Sequence, residues 1–573
     1  MRRVVFYILA IGLLSCTSEA GSGGDQAVIK DGVTIHSYED FTESLARLNS
    51  HSGETSSSCL QVIRNRTSIV PHAFLTAAAP VTGDQKTAMY PRIKKAADGS
   101  ILMFYHGSQY GSRIFLTKSR NLLDWTTPVM LYSPYAVTID GAEDIRRFVN
   151  MDAVVLPDGE ILAVCSYRAE SNYSKGLGCG LMLIRSKDNG ESWSQPRIIY
   201  EGPNWEPYLL YLPDGRVQCY FTDATPQTRN SGTSVIVSSD RGATWTKKIR
   251  CCRLYKYLYD GENTEFTGQK IFTDQMPCFR ILNDGKTLFG FLEDRLETPA
   301  SISGSSSCKM SLVWNEGFEW KDLGEDNAGP QKRLNTVVKG AGGYVEVFPS
   351  GEVVLSCGRS SLLNMKIIDS DGGYSSTEDW NKRWYTPFAE KGFWGCMERM
   401  SPHTLAAAMH CSSGMQIGLF WLNHRIDAFE AGINCDGDPE EWTGTEAFFL
   451  GTSDGTEVLI RTARDKENLY LLAEFICAES ENPRLDIKLL NKNGDGTTSV
   501  SLSRSSLAVG KGESADGRSG FAVESVVPVK NLGNPGQGDI IKLFATLQTS
   551  AGQETFSLSD ITSPATWQTI RFQ

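Results

Sequence analysis

Beyond its first residues this chain has no long apolar run, and it has no basic tract, no Cys-x-x-Cys pair and no Cys/His cluster with metal-ligand spacing. Each lack excludes something. Without a later apolar run there is no candidate spanning helix, and the run at 4–14, behind Arg2 and Arg3, is too short to remain in a bilayer and reads as a secretory signal. Without a basic tract, and with a net charge of −11, neither nucleic acid nor an anionic membrane surface is expected as partner. Without Cys/His spacing a zinc site is not expected, and no cofactor is implied. Thirteen of the 14 cysteines lie beyond Cys16, and those inside apolar runs (Cys165, Cys219, Cys357) read as small buried hydrophobes. Sustained helical periodicity is also missing, while glycine is frequent at 54 residues and aromatics make up 10%, which points to an all-β protein rich in turns.

What is present is a cadence. Six times an apolar run meets a tight turn and is answered by a second run: YPRIKKAADGSILMFYH, MDAVVLPDGEILAVCSYR, PYLLYLPDGRVQCYFTD, CFRILNDGKTLFGFLED, YVEVFPSGEVVLSCGR and CMERMSPHTLAAAMH. The turn residues Gly99, Gly159, Gly215, Gly285, Gly351 and His403 fall 52 to 70 residues apart. Each segment is a β-hairpin by its turn chemistry. Later in the second and third repeats come Ser186-Lys187-Asp188-Asn189-Gly190-Glu191-Ser192-Trp193 and Ser238-Ser239-Asp240-Arg241-Gly242-Ala243-Thr244-Trp245, with worn copies ending at Trp320 and Trp125. An Asp that accepts backbone N–H bonds, a Gly free to take positive φ and a Trp that plugs between sheets make a structural turn, not a binding site.

At 573 residues the chain exceeds one ordinary core. Residues 1–16 are the signal, 17–59 a polar tether and entry segment with one helical candidate (YEDFTESLARLNS), 60–428 a six-bladed β-propeller, and 429–573 a β-sandwich of alternating strands. The run LQVIRNRTSI, ahead of the first hairpin, is available to complete the last blade and close the ring.

In such a hairpin the start of the first strand and the end of the second share one rim. The starts supply Arg92, Asp152, Trp205 with Glu206, Gln275 and Tyr344; the ends supply His106, Arg168, Asp223, Glu293, Arg359 and His410. Carboxylates to protonate and attack, cations and amides to grip hydroxyls, and aromatics to stack on a ring are what sugar hydrolysis requires.

Several of these residues carry resemblances. Cys16, after Leu13-Leu14-Ser15, resembles the lipidated cysteine of bacterial lipoprotein signals, which implies a chain anchored by lipid at the cell envelope. The two Asp-boxes, Tyr90-Pro91-Arg92-Ile93 and the six-unit count resemble the sialidase superfamily of propeller glycosidases. Within it, Asn204-Trp205-Glu206-Pro207 and Gln275-Met276-Pro277, each leading into its hairpin, are similar to the exo-arabinanase family. That resemblance implies Glu206 and Glu293 as the catalytic pair, about 5 Å apart for hydrolysis with retention. Arg92, Asp152, Trp205, Arg168, Gln275, Tyr344 and Arg359 would surround a carbohydrate substrate. An exo-α-sialidase is the alternative, with Arg92, Arg168 or Arg359 on a carboxylate, Asp152 as acid and Tyr344 near Glu346 as nucleophile. A non-catalytic glycan-binding propeller is another. INCDGDPEEW together with DKENLYLLAEF resembles the family-nine carbohydrate-binding modules, where this opening is a fold signature.

Overall fold

The computed structural model describes residues 28–30, 33–35, 58–78, 87–108, 112–224, 231–253, 271–296, 307–324, 332–368, 384–506, 508–510, 519–557 and 559–573. Cys16, the signal and the helical candidate lie outside them.

The described chain is all-β, a six-bladed propeller followed by two packed sheets. Blade one holds Ala88–Lys95, Ile101–Gly107, Ile114–Ser119 and Val129–Tyr132. Blade two begins with the long strand Ala142–Val155 and continues through Ile161–Ala169, Gly180–Ser186 and Arg197–Glu201, with Tyr135–Ile139 added at its inner edge. Blade three runs from Trp205–Tyr211 to Ile249–Cys252, blade four from Ile271–Gln275 to Lys332–Lys339, and blade five from Ala341–Val347 to Trp384–Tyr385. Blade six takes three strands from Gly392–Arg399 to Gly414–Asn423, and its fourth from the other end of the propeller. Cys59–Pro71 pairs antiparallel with Gly414–Asn423, Pro71 opposite Gly414 and Cys59 opposite Asn423, so the ring closes as the sequence suggested.

Asp-boxes lock each blade to the one before it. Asp188 accepts from Ser192 N at 2.9 Å and Asp240 from Thr244 N at 2.7 Å, while Gly190 and Gly242 sit at φ +82° and +81°. Trp193 meets Phe104 of blade one edge-on, and Trp320 donates to Tyr220 Oη of blade three at 2.9 Å. These turns are local solutions to backbone hydrogen bonding, which is why they are legible in sequence.

On the axis each blade contributes one residue to a ring of five charged side chains and a tyrosine. Lys94 Nζ lies 3.3 Å from Asp152 Oδ1 and 3.6 Å from Glu398; Arg280 pairs with Glu346 and lies 3.5 Å from Glu398; Tyr208 of blade three has both cations near its ring, at 5.6 and 5.5 Å. Buried ions are tolerated only when paired, so this ring ties the six sectors to one relative position.

After blade six, Ile426–Glu430 runs parallel to both Gln568–Phe572 and Glu457–Arg464 and so belongs to both sheets of the C-terminal domain. The opening signature is a fold device: Trp442 is buried and donates to Glu524 Oε1 at 2.7 Å, and the same carboxylate accepts from Gly437 N. The domain grips the closing strand of the propeller through Ser557, whose N and Oγ donate to Gln61 at 3.1 and 2.9 Å, and through Arg64–Glu554 at 3.1 Å.

Replacing Lys94 by Met leaves buried carboxylates without their cation, which costs about 3–5 kcal/mol. Burial already raises the Glu398 carboxyl, and Lys94 opposes that rise. A carboxyl raised above its unfolded value loses stability as pH rises through it. Thermal unfolding of Lys94→Met between pH 5 and 8 is therefore expected to show its largest deficit at pH 8 and partial recovery at pH 5; a deficit independent of pH would contradict the ring's role.

Candidate active site

Every inner hairpin is interrupted at the same place. Nine residues before the turn residue stand Tyr90, Asn150, Glu206, Met276, Gly342 and Trp394, and all six have left-handed backbones, with φ of 63°, 48°, 40°, 51°, 65° and 52°. Register shifts accompany them, between Met89 and Arg92, Val149 and Met151, Trp205 and Tyr208, Ala341 and Tyr344, and Phe393 and Cys396, and in blade four the pairing breaks between Gln275 and Phe279. A β-bulge of this kind re-aims one side chain and frees one N–H from the ladder. The N–H turns to the preceding blade: Asn150 N donates to His106 Nδ1 at 3.1 Å, Met276 N to Thr222 Oγ1 at 3.0 Å and Gly342 N to Glu293 Oε2 at 2.8 Å. A left-handed non-glycine residue is strained, and such strain concentrates at functional sites.

Glu206 occupies the bulge of blade three. Its Oε2 accepts from Thr222 Oγ1 at 2.8 Å, and Thr222 in turn accepts from Met276 N. Glu293 lies in the second strand of blade four, Thr287–Leu296, opposite Gln275 in the ladder. Both glutamates are 8% exposed. Burial, reinforced by the charge of Glu293 and opposed by the Thr222 hydroxyl, Arg168 and Arg92, pushes the Glu206 carboxyl up to about 7. Burial also raises Glu293, but the Gly342 N–H and the charge of Arg295 hold it down. The two carboxylates therefore act on each other across adjacent blades and have unlike surroundings.

Around them stand groups from other blades. The buried Tyr90 hydroxyl is raised by burial first and then by both Glu206 and Glu293, with Arg92 and Arg168 opposing. Arg92 is sandwiched between the rings of Tyr90 (4.6 Å) and Tyr344 (4.9 Å). Arg168 lies over Trp205 at 4.1 Å and Tyr173 at 4.7 Å. His106 is driven down to about 3 by burial and by Arg168, so its ring is neutral; with Nδ1 accepting from Asn150, its proton is on Nε2. Trp394 stacks on His410 at 5.3 Å and meets Tyr90 at 5.2 Å, beside Phe393, a large apolar residue left 40% exposed. Four of these residues keep shielded donors without a hydrogen-bond partner among the described residues: Tyr90 Oη, His106 Nε2, Arg168 Nε and Nη2, and Trp205 Nε1. Buried donors are rarely left so.

The sequence-derived residues divide. Glu206, Glu293, Arg92 and Arg168 come together with Tyr90. Trp205 is close by, but Arg168 covers its ring. Asp152, fully buried, belongs to the axial ring, where Oδ2 accepts from Leu209 N at 2.8 Å. Tyr344 supports Arg92, Gln275 is half-buried beside Glu293, and Arg359 lies over Trp384 at 4.6 Å within blade five. Asp223 is held by Lys248 and Arg250. Sequence reasoning did not single out Tyr90, Trp394 or Phe393; a constant offset of nine from each turn residue identifies the first two.

No family model matches the chain, and no curated protein matches it. Among solved structures the chain is similar to the α-L-arabinofuranosidase of Fusarium graminearum in complex with an iminosugar inhibitor, at 15% identity and a TM-score of 0.43 over 59% of this chain and 94% of that one. It is similar to the α-L-arabinanase of Penicillium chrysogenum complexed with arabinobiose, at 16% and 0.41 over 63% and 98%. A sialidase of Streptococcus pneumoniae gives 11% and 0.39 over 60% and 69%.

Because Glu206 is raised by burial, its folded-state value lies above its unfolded one, and the stability it contributes is lost as pH climbs through about 7. Glu206→Gln removes that loss. The variant is expected to gain thermal stability over the wild type on going from pH 5 to pH 8, by on the order of 3 kcal/mol at the upper end. A constant difference across that range, followed by circular dichroism, would contradict the assignment of a raised carboxyl.

Proposed function

We propose that the chain is a glycoside hydrolase that removes terminal sugars from a polysaccharide or glycan, with Glu206 as acid/base and Glu293 as nucleophile in a double displacement with retention. The observation that carries this reading is the pair itself: two buried glutamates from adjacent blades, one keeping its proton to near neutral pH and the other supplied with a backbone N–H. A general acid works best when its pKa is near the working pH, and a carboxylate that must become charged and attack needs donors that favour the ion. Glu206 would protonate the departing glycosidic oxygen while Glu293 attacks the anomeric carbon. Glu206, then ionised, would take the proton from the water that releases the sugar.

The unpaired donors of Tyr90, His106, Arg168 and Trp205 suit a ligand rich in hydroxyls, and Phe393 with Trp394 suits the apolar face of a sugar ring. The motif around Trp205, Glu206 and Pro207 makes arabinofuranosides the first substrates to test. A sialidase would need Tyr344 paired with a free glutamate, and Glu346 is held instead by Arg280. The lipidated Cys16 would place this activity at the bacterial cell envelope.

The soluble mature chain, given aryl arabinofuranoside, arabinan and sialyl substrates, is expected to release arabinose with the anomeric configuration retained, read by proton NMR of the first-formed product. Glu206→Gln is expected to lower kcat on arabinan by about 100- to 10,000-fold and to remove the alkaline limb of the pH profile near 7. Glu293→Gln is expected to be inactive. Turnover surviving both substitutions refutes the pair, inversion refutes the nucleophile, release of sialic acid replaces the substrate class, and saturable glycan binding without turnover replaces the enzyme with a binding protein.

A further inference from the structure

Five of the six inner hairpins turn on a glycine with positive φ; the sixth turns on His403. Glycine's freedom is not needed there, because Ser401 Oγ accepts from both His403 N (3.1 Å) and Thr404 N (3.0 Å) and holds the turn in another way. The site that is glycine elsewhere thus carries an imidazole, at the end of the propeller opposite the glutamates.

That imidazole meets a second one. His403 Nδ1 lies 3.1 Å from Nε2 of His424, in the link between blade six and the C-terminal domain, and the two rings are within 6° of parallel. The other nitrogen of His424, Nδ1, lies 2.6 Å from the Arg425 carbonyl oxygen. A carbonyl only accepts, so Nδ1 carries the proton and Nε2 accepts from His403 Nδ1, a hydrogen bond that an ion held by both nitrogens would replace. A ring nitrogen held to a backbone carbonyl, which fixes the tautomer and orientation of the other, is the usual support of a metal-binding histidine. The C-terminal domain adds Glu446, a partly exposed carboxylate that accepts from Asp427 N at 3.4 Å and has an oxygen within 4.8 Å of both nitrogens. The ring of Trp421, parallel to His403 at 5.3 Å, fixes the first imidazole in place. Of the nearby cations, Arg461 is paired with Glu474 at 3.0 Å.

We propose that His403, His424 and Glu446 bind one divalent transition-metal ion of the zinc type, which clips the sixth turn of the propeller to the domain that follows it. Two imidazole nitrogens and a carboxylate are ligands zinc accepts, and ligands on a tetrahedral ion with bonds of about 2.1 Å stand roughly 3.4 Å apart, close to the separation of the two nitrogens. Water completes the coordination, and the exposed side of Glu446 is the way in. The ion acts as a clip: it joins three segments and faces away from the proposed active site.

The test is titration of the untagged, soluble mature chain with Zn(II) by calorimetry and with Co(II) by visible absorption. One equivalent is expected to bind, with the intense d–d bands of four-coordinate Co(II), and chelation is expected to lower the melting temperature. His403→Ala with His424→Ala is expected to lose the bands and the chelator effect together. Glu446→Gln alters a partly exposed residue and preserves the fold, and it is expected to weaken binding without changing the far-ultraviolet circular dichroism. Absence of saturable binding, bands that persist in the double variant, or a sulfur-to-cobalt charge-transfer band pointing to a thiolate such as the exposed Cys435 would each overturn the proposal.

Discussion

Ring closure is the constraint on which the rest depends. A propeller blade is a small sheet with too little core to stand alone, and its inner strand is buried only when neighbours flank it on both sides. Here the strand Cys59–Pro71, from the start of the propeller, becomes the outer strand of the last blade, so the first and last sectors are joined by a ladder of backbone hydrogen bonds. The same strand accepts hydrogen bonds from the C-terminal domain at Gln61 and donates one to it from Arg64. Opening that ladder would release the axial charges to water and separate groups that act on one another only because the circle is shut.

Within the closed ring, the repeated bulge turns architecture into chemistry. A regular ladder would point the residue nine before each turn along the blade and bind its N–H inside the sheet. The left-handed kink does neither: it aims Tyr90, Glu206 and Trp394 differently and sends the N–H of Asn150, Met276 and Gly342 to the preceding blade. Glu206 and Glu293 meet this one device from opposite sides. Glu206 is a bulge residue, and burial dominates its proton affinity; Glu293 receives the bulge N–H of the next blade, which favours its charged form.

Much of this was legible because it is local. Asp-Gly turns, the Asp-box and alternating apolar strands are short-range solutions to backbone geometry and burial, and six of them at regular spacing imply a propeller. Counting positions to the shared rim placed Glu206 and Glu293 among twelve candidates, and the resemblance to exo-arabinanases, not the count, set them apart as a pair. The same count also selected Asp152, which the fold uses on its axis with Lys94, and Asp223, which Lys248 and Arg250 neutralise. An acid near a strand end reads the same in either role, since pairing depends on the neighbouring blade. Tyr90 and Trp394 were overlooked because an aromatic at a strand start looks like core until its backbone is known to be left-handed.

By itself the sequence determined the all-β class, the number of sectors, the turn that begins each one and the rim that carries the candidate site residues, since periodicity, turn residues and strand direction act over a few residues. Tertiary structure alone decided which charged groups became partners. Lys94 chose Asp152 and Glu398, Arg280 chose Glu346, Glu206 came within electrostatic reach of Glu293, and His403 met His424 and Glu446, because those encounters depend on how sheets far apart in the chain are rotated and stacked around one axis. Coulombic and hydrogen-bond energies fall off within a few ångströms, and separation along the chain carries no information about distances of that size until the ring is closed.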